Sequence, residues 1–197
     1  MRMKRIVFNL VVRGKEILGK CRNYIPLKIW HVEYDRFPIV RGSIYINNYG
    51  KIRVGKNVSI NSGLESSQLG FFPRTILHTS QSGEIIIEDN VGMSNVTLYA
   101  RKLIHLKKNV RLGAGVKIYD NDFHDLYGYS QPGIEEVIPA KEIVIGNNAF
   151  VGAGTMILKG VHIGDNAIIG AGSVVARDIP SNEVWAGNPV HFIKEIK

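Results

Sequence analysis

A histidine lies among three aspartates in the middle of this 197-residue chain, where residues 119–125 are Tyr-Asp-Asn-Asp-Phe-His-Asp. If this segment is extended, alternate residues share a face, so that Asp120, Asp122 and His124 point the same way. A carboxylate beside an imidazole accepts the proton of one ring nitrogen and makes the other nitrogen more basic. The spacing therefore predicts a general base at His124, although aspartates are also typical of surface turns.

The element that positions this run is indicated by a six-residue period in the C-terminal half. The aliphatic residues of this period are Ile145, Val151, Ile157, Ile163, Ile169 and Val175. Helices need apolar residues every 3.6 positions and half-buried strands every 2, so a period of six indicates a higher-order repeat. Hexapeptide repeats build parallel β-helices, in which three short strands with their turns form a coil of about 18 residues.

The same register begins earlier and breaks twice. It is visible at Val54 and Ile60, at Ile87 and Met93, and, after a one-residue slip, at Leu106, Leu112 and Ile118. The stretch between Ile60 and Ile87 is predicted to be a looser coil or a surface excursion. The 27 residues from Ile118 to Ile145 are not a multiple of six, so we expect residues 119–140 to leave the prism as a loop that carries His124. Loops on a rigid scaffold are common positions for functional residues.

The charge of the chain predicts an anionic partner. The formal net charge is +8 and the pI is about 9.6. No nucleic-acid-binding motif is present, so we expect an acidic lipid or a phosphorylated cofactor and no nucleic acid. The one cysteine, Cys21, cannot form an internal disulfide, which favours a reducing compartment.

Basic residues are clustered only near the N-terminus. Arg2, Lys4, Arg5, Arg13, Lys15 and Lys20 are accompanied there by a single acidic residue, Glu16. The apolar run from Ile6 to Val12 is too short for a membrane span, which needs about 20 residues. The favoured interpretation is a helix packed on the end of the prism, and a peripheral anchor on a membrane surface is the alternative.

Several stretches together resemble the hexapeptide-repeat acyltransferases of the left-handed β-helix superfamily, and within it the sugar and polysaccharide O-acetyltransferases. The matching stretches are Ile-Tyr-Asp-Asn-Asp-Phe-His at 118–124, Ile-Gly-Asn-Asn-Ala-Phe-Val-Gly-Ala-Gly at 145–154, the repeats at 157–175, Asp-Ile-Pro-Ser-Asn at 178–182 and Trp-Ala-Gly-Asn-Pro at 185–189. The resemblance implies an all-β fold, a left-handed parallel β-helix over residues 44–197 with a C-terminal tail at 180–197 and short helical terminal segments. Residues 1–43 are expected to be partly helical and packed on the prism.

The resemblance also implies acetyl-CoA as donor, a saccharide acceptor, no metal, and a homotrimer with active sites between neighbouring prisms. In such enzymes the base lies on the loop that leaves the prism, the position of His124. Asp122 is the candidate for orienting it, with Asp120 second. The residues that match cofactor-binding positions are Ala153, Ala171, Ala176, Arg177, His191 and Lys194. For the acceptor side the candidates are Asn95, Asp120 and Tyr127, the last because aromatic rings suit sugars, although Tyr127 and Tyr129 are equally consistent with packing of the loop.

Other functions are compatible with parts of this pattern. The alternative enzyme is an N-acetyltransferase for a nucleotide-linked amino sugar, but the roughly 40 residues before the repeats are short for the nucleotide-binding domain that such enzymes usually carry. A zinc enzyme of this architecture needs three convergent histidines, and His105, His124 and His162 lack the short paired spacing. A non-catalytic repeat scaffold would not bind CoA. We expect a cytoplasmic enzyme, at the inner face of the membrane if the basic segment is an anchor.

Overall fold

The computed structural model describes residues 2–63, 74–124 and 138–196, which form a three-sided prism preceded by one long helix. The chain passes from one face to the next in turn, so each face is a parallel sheet whose strands come from successive coils. The three sheets, here called A, B and C, contain six, eight and six strands. This is the parallel β-helix that the six-residue period predicts, in the left-handed form that the resemblance implies.

The strands of each face follow the same order along the prism. Sheet A contains β1 (Glu33–Tyr34), β4 (Lys51–Val54), β7 (Glu84–Ile87), β10 (Leu103–Leu106), β13 (Ile143–Ile145) and β16 (His162–Ile163). Sheet B contains β2 (Ile39–Gly42), β5 (Ser59–Ser62), β8 (Gly92–Ser94), β11 (Arg111–Leu112), β14 (Phe150–Val151), β17 (Ile168–Ile169), β19 (Glu183–Ala186) and β20 (His191–Glu195). Sheet C contains β3 (Tyr45–Asn48), β6 (Ile76–Thr79), β9 (Thr97–Ala100), β12 (Lys117–Tyr119), β15 (Met156–Ile157) and β18 (Val174–Val175).

The interior of the prism is filled by the aliphatic residues of the predicted register. The six residues from Ile145 to Val175 at six-residue spacing are each no more than 2% exposed. They lie above one another because successive coils pair in register, as Ile104 of sheet A does with Ile85 and Ile143. The prediction of stacked core positions is confirmed.

The one-residue slip is the sum of a corner between sheets B and C that is one residue short and a following side that is two residues long. Met93 and Leu98 are five residues apart, whereas Leu112 and Ile118, one coil later, are six apart. The shorter corner contains Asn95, whose backbone is left-handed with a φ of 49°. At this level the next side of the prism, from Leu98 to Leu106, is longer than six residues, so the register resumes one position late.

Asparagines form a continuous ladder at the corner between sheets A and B. All are left-handed, with φ between 56° and 63°, a conformation that asparagine tolerates better than most residues. Each donates its side-chain amide to the next at 2.8–3.2 Å. The ladder consists of Asn57, Asn90, Asn109, Asn148, Asn166 and Asn182. It ties successive coils together along the length of the prism.

Helix α1 (Arg2–Ile29) is held against the first strand of sheet B. Gly19 permits the contact, because a methyl group there would overlap the carbonyl oxygen of Val40. The buried amide of Asn23 donates to the carbonyl of Gly42 at 2.9 Å and accepts from the backbone N–H of Ile44 at 2.9 Å. Glu16 forms an ion pair with Arg41 at 2.6 Å. From Glu16 onward, α1 therefore contacts the prism through these residues.

The structure differs from the sequence-based expectation at both ends of the prism. The coils begin at Glu33 rather than at residue 44, since Tyr34 and Val40 occupy the first two register positions and pair with Val54 and Ile60. An aromatic residue at the first position hides this repeat in the sequence. The N-terminal helix has 28 residues and is not short, and the C-terminal segment is the antiparallel pair β19–β20 instead of a helix.

The first predicted break is only partly an excursion. Residues 76–79 form β6, which pairs with β3 and β9 and continues sheet C. Leu77 fills the core there and is 1% exposed. Residues 64–73, where the rest of the predicted break falls, lie outside the described part of the chain.

Candidate active site on the third sheet

Asp120 fixes the start of the segment that carries His124. It follows β12 and is fully buried. One carboxylate oxygen accepts from the backbone N–H of Arg101 at 2.8 Å, and the other accepts from Lys102 and Leu103 at 2.7 and 2.9 Å. These three donors form the turn between β9 and β10, in the preceding coil. The sequence predicts that Asp120 faces the acceptor. In the structure its carboxylate is instead buried and bound to the protein's own backbone.

Asp122 is bound to the following coil, whereas Asp120 is bound to the preceding one. Its carboxylate forms an ion pair with the ammonium group of Lys159, in the turn after β15, and both side chains are about three-quarters buried. The backbone of Asn121 also bridges to Ala140, where the chain returns. The first residues of the loop are therefore anchored both to the coil before and to the coil after.

The segment does not remain extended as far as the histidine. Phe123 has a left-handed φ of 65°, and its N–H donates to the side-chain oxygen of Asn121 at 2.9 Å. Such an asparagine turn reverses the alternation of faces, so Asp120, Asp122 and His124 do not share one face as expected. His124 is exposed, and residues 125–137, including Tyr127 and Tyr129, lie outside the described residues.

A row of aromatic rings runs along the outside of sheet C to this loop. His78 stacks on Tyr99 with ring centroids 4.1 Å apart, and Tyr99 meets Phe123 edge-on at 4.8 Å. Phe123 also contacts Tyr119 at 5.1 Å. Burial lowers the pKa of His78 and raises the pKa of Tyr119, because the charged form of each ring loses hydration. These four residues, here called the aromatic row, place the residue before His124 against the sheet.

A concave pocket of about 570 Å³ adjoins the row on the same face. Its lining is mainly apolar with a few polar groups, and consists of Tyr45, Arg74, Ile76, Asn95, Thr97, Gly115, Lys117 and Tyr119. Tyr119 belongs both to the pocket and to the aromatic row, so the pocket lies next to the root of the histidine loop. A pocket of this size and composition suits a small organic ligand.

Asn95 occupies a corner position that is glycine in the later coils. Gly115, Gly154 and Gly172 hold the equivalent left-handed position, with φ of 70–72°. Asn95 adopts this conformation with a buried side chain, whose oxygen accepts from the N–H of Gly63 at 3.1 Å. The use of an amide where glycine suffices elsewhere makes Asn95 a candidate for a role in the pocket.

Ala153 and Ala171 adjoin one another on the corner between sheets B and C. The N–H of Gly172 donates to the carbonyl of Ala153 at 2.8 Å, and a methyl group on Gly152 would overlap the backbone of Ala171. Close stacking of the turns therefore accounts for the glycine. Ala171 is exposed and Ala153 is half-buried, so the corner carries a strip of small groups with room for a thin ligand.

The remaining cofactor candidates lie elsewhere on the single chain. Ala176 and Arg177 are exposed in the turn after β18, on the other side of sheet C from Ala171. Arg177 lies over the ring of Trp185 at 5.6 Å. His191 and Lys194 are exposed on β20, the outer strand of sheet B. Of the six cofactor candidates, Ala153 and Ala171 are the two that lie next to each other along one corner of a single chain.

The three histidines considered for a metal site are not grouped. The imidazole of His105 contacts Glu88 at 2.7 Å on sheet A, and His162 lies 3.7 Å from both Glu142 and Asp178. In the part of the chain that the structure describes, no three His, Cys, Asp or Glu side chains are arranged to hold a metal ion.

Two features of the site were not predicted from the sequence. The partner of Asp122, Lys159, is 37 residues away, and nothing local indicates the contact. The aromatic row does have a sequence signal. His78, Tyr99 and Tyr119 each follow a buried register residue in three successive coils, namely Leu77, Leu98 and Ile118. A search for the position after the register residue would have found them.

The chain is similar to a family of repeats and to proteins of known name. The family model described as bacterial transferase hexapeptide (six repeats) matches residues 142–177. The polysialic acid O-acetyltransferase of Neisseria meningitidis is 28% identical over 124 residues, which are 60% of this chain and 56% of that protein. The chain thus spans little more than half the length of that relative.

Two solved structures share the fold. AntD, an N-acyltransferase from Bacillus cereus in complex with dTDP-4-amino-4,6-dideoxyglucose and coenzyme A, has a TM-score of 0.69 at 21% identity, with 89% of each chain covered. A maltose O-acetyltransferase from Clostridium difficile 630 has a TM-score of 0.55 at 24% identity, covering 95% of this chain and 89% of the other. At these identities the likeness concerns the fold.

Proposed function

We propose that the chain is an acetyltransferase that transfers the acetyl group of acetyl-CoA to a hydroxyl group of a saccharide, a proposal that the match of residues 142–177 to the bacterial transferase hexapeptide repeats supports. The observation that carries this proposal is the position of His124. It extends from a loop whose root is anchored to two coils and lies beside the pocket on sheet C. The relative from Neisseria meningitidis, named for O-acetylation of a polysaccharide, supports a sugar hydroxyl as the acceptor.

The proposed reaction is a direct transfer with general-base catalysis. The imidazole of His124 takes the proton of the sugar hydroxyl, and the hydroxyl oxygen forms a bond to the carbonyl carbon of the thioester. Backbone N–H groups stabilise the negative charge on the carbonyl oxygen, and the bond to sulfur then breaks. The CoA thiolate takes up the proton, which restores neutral His124. The chain's one cysteine, Cys21, is on α1, away from this face, and the proposal includes no acyl-enzyme.

The proposed donor site is the strip at the corner between sheets B and C. Ala153 and Ala171 offer a shallow, uncharged floor of the kind that a pantetheine arm requires. Exposed Arg177 and Lys194 supply positive charge for the phosphates of CoA, together with Ala176 and His191 as neighbouring contacts. Since these groups occupy different sides of one prism, the proposal places the donor between two chains of a homotrimer, each of which contributes part of the site.

The proposed acceptor site is the pocket on sheet C. Tyr119 and Tyr45 offer aromatic faces for a sugar ring, and Lys117 is the proposed polar contact for its hydroxyls. Asn95, whose side chain is buried and bound to Gly63, is proposed to line the pocket. Asp122 acts through its anchoring of the loop as a positioning residue for His124. Tyr127 remains a candidate for the acceptor side on the basis of the sequence.

A second candidate function is N-acetylation of a nucleotide-linked amino sugar. It is favoured by the fold shared with AntD, whose complex contains such a sugar nucleotide. The same base and donor site would serve an amine acceptor, so the two functions differ in the group that fills the pocket.

The test is release of the CoA thiol from acetyl-CoA with a panel of neutral sugars, sialylated and capsular glycans, and nucleotide-linked amino sugars. We expect acetylated hydroxyl groups in one class of glycan, identified by mass and NMR. His124→Ala should retain acetyl-CoA binding and lose on the order of 10²- to 10⁴-fold in kcat. The ascending limb of the pH–rate profile should vanish with it.

The matched control is His162→Ala, which removes an exposed imidazole from sheet A and should keep normal turnover. Acetylation confined to amines would favour the second candidate. Near-normal activity of His124→Ala would show that the base lies elsewhere. A failure to bind acetyl-CoA in a folded protein would contradict both functions.

A further inference from the structure

Helix α1 presents an apolar face that the prism does not cover. Gly19, Asn23 and Leu27 face sheet B and are buried. The opposite side is apolar and exposed, at Val11 (51%), Ile17 (64%), Leu18 (66%), Tyr24 (44%), Ile25 (62%) and Ile29 (64%). Val11, Leu18 and Ile25 are seven residues apart and form one stripe along the helix, because two turns separate each from the next.

The same helix carries most of the net charge of the protein. Within Arg2–Ile29 there are eight Lys and Arg residues and one acid, Glu16, a net charge of +7 out of +8 for the whole chain. Glu16 is paired with Arg41 of the prism. At about 100° per residue, the whole exposed apolar face extends from Tyr24 and Ile17 across the stripe to Ile29. Arg13 and Lys20, the latter over the ring of Phe37, lie at one border of this face, and Lys15 and Arg22 lie at the other. Lys28 lies within the face, over the ring of Tyr24. The exposed apolar face is therefore bordered by cations on both sides.

This arrangement matches the boundary between the headgroups and acyl chains of an anionic bilayer. Apolar side chains enter the acyl region, while the long stems of lysine and arginine allow their charges to remain among the phosphates. Each cation near such a surface contributes through the negative surface potential. In the described residues no helix is long and apolar enough to cross a membrane. The exposed apolar face runs along the side of α1, and the geometry that fits such a face is a helix parallel to the surface.

A second copy of the helix fits this face less well. An antiparallel or parallel pair along the stripe would bring the two cationic borders of one helix against those of the other. Like charges at such spacing oppose association, whereas anionic lipid neutralises them. The charge pattern thus selects the bilayer over self-association of α1.

We propose that α1 docks the protein on the surface of an anionic lipid bilayer, with Leu18 and Ile25 inserted and Arg13, Lys15 and Arg22 bound to lipid phosphates. This inference does not depend on the reaction that the prism catalyses. It assigns the exposed face of α1 to a lipid surface and leaves the prism in the aqueous phase above it.

The test is flotation of the full chain with vesicles of phosphatidylcholine, with and without phosphatidylglycerol. Binding is expected only to the anionic vesicles at low salt, and it should disappear at 1 M salt, where the screening length falls to about 3 Å. Replacement of Arg13, Lys15 and Arg22 by Gln should weaken binding by on the order of 100-fold, at about fivefold for each charge. The matched control replaces three exposed lysines of the prism, Lys51, Lys56 and Lys108, by Gln.

The apolar contribution is tested separately. Leu18→Ser and Ile25→Ser should each weaken flotation by about tenfold, whereas Ile193→Ser, which is 48% exposed on β20, should not change it. Cys21 lies between Leu18 and Ile25 on the same face and is exposed, so an environment-sensitive fluorophore on this one cysteine should shift to the blue on anionic vesicles.

Three outcomes would overturn the proposal. The first is absence of flotation with anionic vesicles at low salt. The second is flotation that the α1 variants leave unchanged. The third is a change in particle mass of the Leu18 and Ile25 variants by light scattering without vesicles, which would assign this face to a second copy of the chain.

Discussion

At the scale of single residues, the ion pair between Asp122 and Lys159 joins the start of the loop to the following coil. The pair is partly buried, so loss of either partner leaves a charge with little solvent. Asp122 is also close in sequence to His124, and a small displacement of a general base is enough to reduce the rate. The pair therefore offers a way to test positioning separately from proton transfer.

We expect Asp122→Asn and Lys159→Met each to lower kcat about tenfold with little change in the KM for acetyl-CoA, because the base loses its fixed position and the donor site does not. The double variant should be no worse than either single one, since both remove the same contact. Steady-state kinetics on all three proteins measures this. The control is Arg53→Met, which breaks the 2.8 Å ion pair with Glu84 on sheet A and should leave kcat unchanged. Additive losses would contradict the coupling.

The lowered pKa of His78 has a consequence for stability. Between pH 7 and pH 5 the unfolded chain takes up a proton near pH 6.5, while the folded ring, stacked on Tyr99 and partly buried, resists it. The unfolding free energy should therefore fall as the pH drops below about 6.5. In His78→Phe this part of the slope should be missing. Urea unfolding at several pH values, with His162→Phe as control, measures the difference, and equal slopes in wild type and His78→Phe would contradict it.

At the scale of elements, the corners decide how the coils stack. Each asparagine of the ladder adopts a left-handed backbone and links two coils through its side chain. Alanine at such a position loses the hydrogen bonds and also strains the backbone by about 1–2 kcal/mol. Glycine loses only the hydrogen bonds and some chain entropy.

For Asn109 we expect Asn109→Ala to lower the unfolding free energy by about 2 kcal/mol and Asn109→Gly by about 1 kcal/mol. Chemical denaturation of both variants measures the two losses. Lys108→Ala, at the adjacent exposed residue, should stay close to wild type and serves as the control. A larger loss for glycine than for alanine would show that backbone strain is not the deciding factor.

The elements that repeat a local pattern were predictable, and those that depend on contacts between coils were not. Aliphatic residues every six positions are enough to place Ile145 to Val175 in the core, since one residue type at one spacing specifies the register. Tyr34 breaks that pattern by residue type, so the first coil was missed. The sequence places Asp120 among the acceptor candidates because nothing near it in the chain reveals its true partners. These partners are the N–H groups of residues 101–103, which belong to another coil.

At the scale of the whole molecule, sheet B has apolar side chains on its outer surface. Phe150 and Ile168 are neighbours in register and are 46% and 36% exposed. Flat apolar faces of this kind are usual at subunit contacts, and closed three-fold symmetry is an association that suits a three-sided prism.

We therefore expect a particle mass of three times the chain mass of 21.9 kDa in light scattering. Phe150→Glu should shift the mass toward that of one chain and abolish turnover with it, because the donor site loses its second contributor. A Lys56→Glu variant, which adds the same charge type at an exposed position next to the ladder, should remain trimeric. Full activity in a particle of one chain mass would refute the shared site.

The anchoring of the loop root also bears on how the loop can be altered. Asp120 and Asp122 secure the exit of the loop, and Asn121 meets Ala140 where the chain re-enters the prism. The two ends are thus held independently of the amino acids at 125–137. We expect replacements in that stretch to leave Asp120, Asp122 and Ala140 in place, because the contacts that hold these residues lie in the coils. Residues 125–137 are therefore a practical starting point for loop grafting, in which the stretch is exchanged and the acceptor preference is measured.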